Sequence, residues 1–306
     1  MTLRKLKTEF REGRLPKPEY IDRMHGLHGR LFEYADFIRE TDIRLIEISD
    51  DKIVMTSRER GIRLLCDKDD KRIIPIEILN FDQYEKEYLA LILRLIDDGE
   101  TVLDIGANVG WFAINVGMSR EHSPIHCFEP IPKTYDYLMK NLEMNRVPNV
   151  RPHNFGFSDR EGNFEFYYYP EGSVNASLAN VSGTGTVETI ACRVRKLDDF
   201  VTECGTSIDF IKCDVEGAEL FVFKGGMKSI AAHRPVIFAE LLRKWAGKFD
   251  YHPNEVIRLL SAAGYRCFIM TAGALKEFFM MDDSTVETNF IFLHADKHAT
   301  RIKSFI

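Results

Sequence analysis

Apolar positions change their spacing along this 306-residue chain, and the changes mark out its elements. From residue 101 onward, short apolar runs alternate with stretches spaced by three and four. TVLDIG reads as a strand and is followed by a helix from Gly110; PIHCFE is the next strand, YDYLMKNLEMN a helix and NVRPHNFGFS a third strand. EGNFEFYYY and VETIACRVR read as an inserted β-hairpin. Residues 209–214 form a fourth strand, 219–229 a helix, PVIFAEL a fifth strand and 254–263 a helix, before two late strands, YRCFIM and NFIFLH. Strands that are apolar throughout and alternate with helices predict an α/β fold, with a mostly parallel sheet covered on both faces.

Upstream the pattern differs. Residues 19–40 place Met24, Leu27, Leu31, Tyr34 and Ile38 on one helical stripe, a helix that either docks on its own domain or pairs with a second copy as a homodimer. Between residues 43 and 79, IRLIEI, KIVMTS, IRLLCD and IIPIEIL are short β-type runs separated by polar turns, which predicts a small antiparallel sheet. Helical spacing returns over 83–96 through Tyr84, Tyr88, Leu91, Leu95 and Ile96. The expected division is an N-terminal helical and β-hairpin extension over 1–80 and a Rossmann-like domain over 81–306.

Composition narrows the function classes. Hydrophobic residues at 45% and charged residues at 29% describe a globular protein, and a net charge of −6 gives no global field for nucleic acid or an anionic membrane. Residues 1–17 are the basic exception, read as a solvated terminus or a contact for an anionic partner. None of the six cysteines forms a C-x-x-C pair, so neither zinc nor a disulfide framework is expected. There is no secretory signal pattern and no apolar run near the ~20 residues that span a bilayer, so the expected location is cytoplasmic.

Candidate chemistry begins at the strand–turn–helix over residues 102–110. Gly106 permits a sharp bend and leaves the strand end open to a ligand; Gly110 lets the next helix start close by, with unpaired N–H groups at its N-terminus. A dinucleotide fingerprint would need further glycines where Asn108 and Trp111 stand, and no G-K-[ST] follows to make a P-loop. Asp104 beside the turn would repel a pyrophosphate but suits the ammonium of a methionine moiety, which favours S-adenosylmethionine over NAD. The next strand ends in Cys127-Phe128-Glu129-Pro130, and Glu129 lies 25 positions after Asp104, a spacing that carries a carboxylate to the adjacent strand end, where it can accept ribose hydroxyls.

LDIGANVG, CFEP and DFIKCDVEGAE preceded by RKLDDF occur in order, and this set resembles the FkbM-type methyltransferases over roughly residues 81–293. The resemblance implies a class I methyltransferase fold with a seven-stranded sheet containing one antiparallel strand, S-adenosyl-L-methionine as cofactor, and O-methylation of sugars, glycoconjugates or natural products. It places the cofactor turn at Asp104, Gly106, Ala107, Asn108 and Gly110, the ribose acid at Glu129, and the adenine edge at Phe157, Ser158 and Asp159. It also suggests Asn175, Ser177 and Asn289 for an acceptor pocket, with Asn180 and Ser182 as equals.

Methyl transfer needs the donor and a hydroxyl held at near-attack distance, and a group to take the hydroxyl proton. Asp214 and Glu216 after the fourth strand are the first candidates, Glu240 at the end of the fifth a third arm, and Asp214 also reaches the cofactor side. A carboxylate-held divalent metal could do the same work, but no absolute metal requirement is expected. Glu219 reads as a helix-terminus acid. Lys212, opposite Cys213 in its strand, either supports the acceptor or pairs with a carboxylate. Two other functions compete with O-methylation: methylation of nucleic acid or protein, disfavoured by charge and by a fourth strand ending in Cys-Asp-Val-Glu, and a non-catalytic cofactor-binding scaffold.

Overall fold

A computed structural model describes residues 2–172, 187–271 and 273–305. The chain opens with α1 (Leu3–Arg11), α2 (Lys17–His28) and α3 (Arg30–Phe37), then an antiparallel sheet of β1 (Ile43–Ile48), β2 (Ile53–Ser57) and β3 (Arg63–Leu65), then α4 (Ile74–Phe81) and α5 (Lys86–Leu95). The alternating part runs β4 (Val102–Ile105), α6 (Trp111–Ser119), β5 (Ile125–Phe128), α7 (Pro132–Asn145), β6 (Val150–His153) and β7 (Gly156–Phe157). It continues with β8 (Gly162–Tyr168), β9 (Glu188–Arg195), α8 (Leu197–Cys204), β10 (Phe210–Cys213), α9 (Glu219–Lys224), α10 (Met227–His233) and β11 (Val236–Glu240). The last elements are α11 (Arg243–Ala246), α12 (Asn254–Ala262), β12 (Tyr265–Thr271), β13 (Ala274–Phe278), β14 (Asn289–His294) and α13 (Ala299–Phe305).

The large sheet has the order β13-β12-β14-β11-β10-β4-β5-β6, parallel from β6 to β11, with β14 inserted antiparallel between β11 and β12. It has eight strands where seven were expected; the additional one is β13, which folds back antiparallel on β12 at the sheet edge. Its five residues carry two charges, too short and polar an alternation to stand out in the sequence. The expected β-hairpin is β8–β9, joined by β7 into a separate three-stranded sheet.

Successive residues of the central strands feed opposite sides. Val102 and Phe210 belong to one buried cluster and Leu103 and Ile211 to the other, as the two-residue pleat requires. The first cluster also contains Ile43, Met55, Ile62 and Leu64, so the β1–β3 sheet shares its core with the α/β body. Asn141 and Asn145 of α7 fix that contact: their Oδ1 atoms accept from the backbone N–H groups of Leu65 and Arg63, both at 2.9 Å.

The run IIPIEIL, expected as a strand, is instead helix α4. Pro75 sits in its first turn, where a missing N–H costs nothing, and the fully buried run has no periodicity to distinguish helix from strand. The basic start is not an unstructured tail: it forms α1, packed on α2 with the Phe10 and Tyr20 rings stacked at 4.4 Å. The single helix expected over 19–40 is divided at Gly29, and neither α2 nor α3 buries a residue. Among the described residues, no helix is long and apolar enough to cross a membrane.

Candidate active site

A cavity of about 420 Å³ opens at the carboxyl ends of β4, β5, β10 and β11. Its floor is the turn after β4. Gly106 has φ +81, and a Cβ there would lie 1.8 Å from the backbone oxygen of Asp214, so only glycine lets this turn rest directly against the end of β10. Asn108 adopts the left-handed conformation (φ 50), and its N–H donates to Glu129 Oε2 at 3.0 Å while Ile131 N–H donates to Oε1 at 2.9 Å. These bonds orient the Glu129 carboxylate on the cavity wall. Burial pushes its pKa up to about 7 against the lowering effect of both N–H groups.

Asp104 and Lys212 face one another across β4 and β10. Asp104 is fully buried below the turn rather than on the cavity wall, and the Lys212 ammonium stands 3.6 Å from its Oδ1. Burial raises the Asp104 pKa to about 6, with Lys212 opposing. Lys212 Nζ donates to Gly106 O at 3.0 Å and to Asp214 Oδ2 at 3.1 Å. Burial disfavours its charge, but Asp214, Asp104 and Glu85 outweigh that and hold it protonated. Of the two readings of this lysine, the structure shows the carboxylate pair.

The loop after β10 is held open by two left-handed residues, Glu216 (φ 55) and Gly217 (φ 98). A Cβ on Gly217 would meet the Trp245 backbone at 2.8 Å. Glu219 Oε1 accepts from the N–H groups of Val215 and Gly217, both at 3.1 Å, and Tyr251 Oη lies 3.2 Å from its Oε2. Glu219 is thus a buried clamp on the loop, away from the cavity. The clamped loop brings Asp214 and Glu216 beside Glu240, with one carboxylate oxygen from each within 4.8 Å of the others, a span that a divalent cation can bridge. Burial, then the charge of Asp214, keeps the Glu216 and Glu240 pKa values well above the ordinary carboxylate value.

The other expected residues fall in several places. Ala107 lines the cavity with Gly106 and Asn108, whereas Gly110 packs against Leu138 beneath α6. At the end of β7, Phe157 lines the wall and Ser158 and Asp159 do not. Asn289 pairs in register with Glu240 and hydrogen-bonds Tyr88, off the wall. Asn175, Ser177, Asn180 and Ser182 lie outside the described residues. The wall also contains Arg72, Glu77, Glu85, Trp111 and Trp245, which periodicity did not single out, and Tyr84, which the helical spacing over 83–96 named as a packing position and not as a site residue. Trp111 had one further sequence signal, its place directly after the Gly110 turn.

The family model described as "Methyltransferase FkbM domain" matches residues 104–267, a span that contains the glycine turn, the ribose-edge acid and the acidic loop. The chain belongs to the FkbM methyltransferase family. Curated relatives of this FkbM-family chain include "2-O-methyltransferase NoeI" of Sinorhizobium fredii, 31% identical over 163 residues, covering 49% of this chain and 66% of the relative. "Methyltransferase 1" of Beauveria bassiana is 26% identical over 146 residues, covering 42% and 59%. "31-O-demethyl-FK506 methyltransferase FkbM" of Streptomyces tacrolimicus is 27% identical over 157 residues, also covering 42% and 59%. The chain spans about three-fifths of the length of these relatives. A crystal structure of methyltransferase FkbM from Methylobacillus flagellatus is 16% identical with a TM-score of 0.43, covering 65% of this chain and 44% of that one.

Proposed function

We propose that the chain is an S-adenosylmethionine-dependent O-methyltransferase acting on a hydroxyl of a sugar, glycoconjugate or natural product. One observation carries the reading: the glycine-floored cavity and the Asp214, Glu216, Glu240 group open into the same space at the sheet edge. The residues suit the cofactor. The Gly106 turn, seated directly on the Asp214 backbone, forms the cavity floor, and the fixed Glu129 carboxylate keeps lone pairs free for two vicinal hydroxyls. When bound, S-adenosylmethionine supplies a methyl group on a cationic sulfonium.

The chain's own residues do the rest. Lys212 fixes the Asp214 carboxylate by a bond at 3.1 Å. Glu216 and Glu240, whose pKa values are raised by burial and by the Asp214 charge, bind a proton more tightly than an ordinary carboxylate, which suits the group that takes the hydroxyl proton. Trp245 and Leu242 form an apolar flank that excludes water and positions the acceptor carbon skeleton. The O-methyl reading also draws on relatives named as a 2-O-methyltransferase and a 31-O-demethyl-FK506 methyltransferase. Isothermal titration with S-adenosylhomocysteine tests the reading: saturable binding supports it, and no heat at millimolar ligand overturns it. With labelled cofactor and a panel of glycans and polyols, Glu216→Ala is expected to lose transfer while retaining homocysteine-nucleoside binding.

A further inference from the structure

We propose that Glu85, which lies before the matched domain, is the cofactor-binding carboxylate that meets the ammonium of the methionine moiety. The inference rests on the methyl-donor reading above and assigns the end of the cofactor that the glycine turn leaves without a counter-charge. Asp104, the acid that charge alone would nominate, is sealed below the cavity with Lys212 beside it. Lys212 also takes the Gly106 carbonyl oxygen, an acceptor the turn would otherwise offer to a ligand ammonium. The partner must therefore be a carboxylate on the wall.

Among the described residues six carboxylates line the cavity, and five are engaged. Glu77 binds Arg72 at 2.6 Å; Glu129 holds two backbone N–H groups; Asp214 holds Lys212; Glu240 shares a hydrogen bond with Asp214; Glu216 has a contact of its own. Among the described residues Glu85 alone of the six has no hydrogen-bond donor on its carboxylate, and it lines the same cavity as Gly106, Lys212 and Asp214. Its backbone adds a second argument. Glu85 is left-handed (φ 46, ψ 30) at the start of α5, yet its side chain does not cap that helix. Such a conformation is unfavourable in a non-glycine residue, and here it occurs at a residue that lines the cavity.

The test compares two ligands on the full chain by isothermal titration: S-adenosylhomocysteine, and 5′-methylthioadenosine, which shares the nucleoside and thioether but lacks the amino-acid end. Glu85→Gln is expected to weaken the first by roughly ten- to a hundredfold, the value of a charge-assisted hydrogen bond, and to leave the second within about twofold. Glu85→Gly, which relieves the left-handed backbone, should melt no lower than the parent protein and lose the same affinity. Unchanged homocysteine-nucleoside affinity in both variants overturns the inference, as does equal weakening of both ligands, which would mean that Glu85 only shapes the wall. A parent protein that binds neither ligand defeats the methyl-donor reading itself, and the inference with it.

Discussion

Glu129 is 5% exposed, and despite two N–H donors its pKa stands near 7 because burial disfavours the charge. Asp104 is raised to about 6 and Glu219 to about 7 for the same reason. A carboxyl whose folded pKa exceeds its unfolded value contributes stability that is complete below the unfolded value and is lost as pH rises through the folded one. The ligand-free protein should therefore lose stability between about pH 4.5 and pH 7, with Glu129 alone accounting for roughly 3 kcal/mol. His126 and His153, stacked at 5.3 Å with pKa values lowered by burial, act in the opposite sense: their contribution is present above about pH 6.5 and fades as pH falls. Urea midpoints measured across this range should fall toward neutrality for the parent, and less steeply for Glu129→Gln. An equal slope in the two proteins would refute the assignment. At this scale the sequence was partly readable. The residue types and spacing of Asp104 and Glu129 pointed to the strand ends, but whether a carboxylate faces the cavity or a neighbouring lysine depends on strand register. Glu85 was invisible, because its role comes from one backbone angle.

Elements explain why the floor of the site holds its shape. α7 is tied on both sides: Asn141 accepts from Leu65 N–H at 2.9 Å and donates to Val109 O at 2.8 Å, while fully buried. Asn141→Ala strips a partner from two backbone groups at once, and a loss of roughly 2–4 kcal/mol is expected in urea unfolding. Hydrogen exchange at Leu65 should rise more than at the centre of β4; uniform change would argue against a local tie. Strands β4, β5, β10 and β11 were legible because each is a short apolar run ending at a turn or helix start. α4 and β13 were not, for opposite reasons. In α4 the run Ile74–Leu79 is almost wholly buried, which erases the helical period, and in β13 five residues with Lys276 and Glu277 side by side are too few to distinguish a hairpin arm from a loop. The ion pair between Arg266 and Glu277, at 2.7 Å across β12 and β13, is visible only once the strands are paired.

At the scale of the whole molecule, the N-terminal helices and the β1–β3 sheet differ in their attachment. The sheet contributes Ile43, Met55, Ile62 and Leu64 to the same core as α5 and α6. α2 and α3 bury nothing and leave Ile21, Leu31, Phe32, Tyr34 and Phe37 exposed. Removing residues 1–37 should therefore leave the body folded and S-adenosylhomocysteine affinity within about twofold, whereas removal through residue 66 should abolish folding, since it exposes the shared core. Calorimetric melts and titration of the two truncations check this. A collapse of the shorter truncation would show that the arm braces the body.

Gly106 rests on the Asp214 backbone so closely that the β4 turn and the β10 loop move only as one body. A ligand entering or leaving cannot part them without tearing the central sheet. Passage is expected instead beside Tyr84 and Glu85, which line the cavity in a segment where two positive-φ residues sit within four positions and Lys86 pairs with Asp42 at 3.5 Å. Exchange rates should thus follow changes at that ion pair, while changes to the floor register in equilibrium affinity.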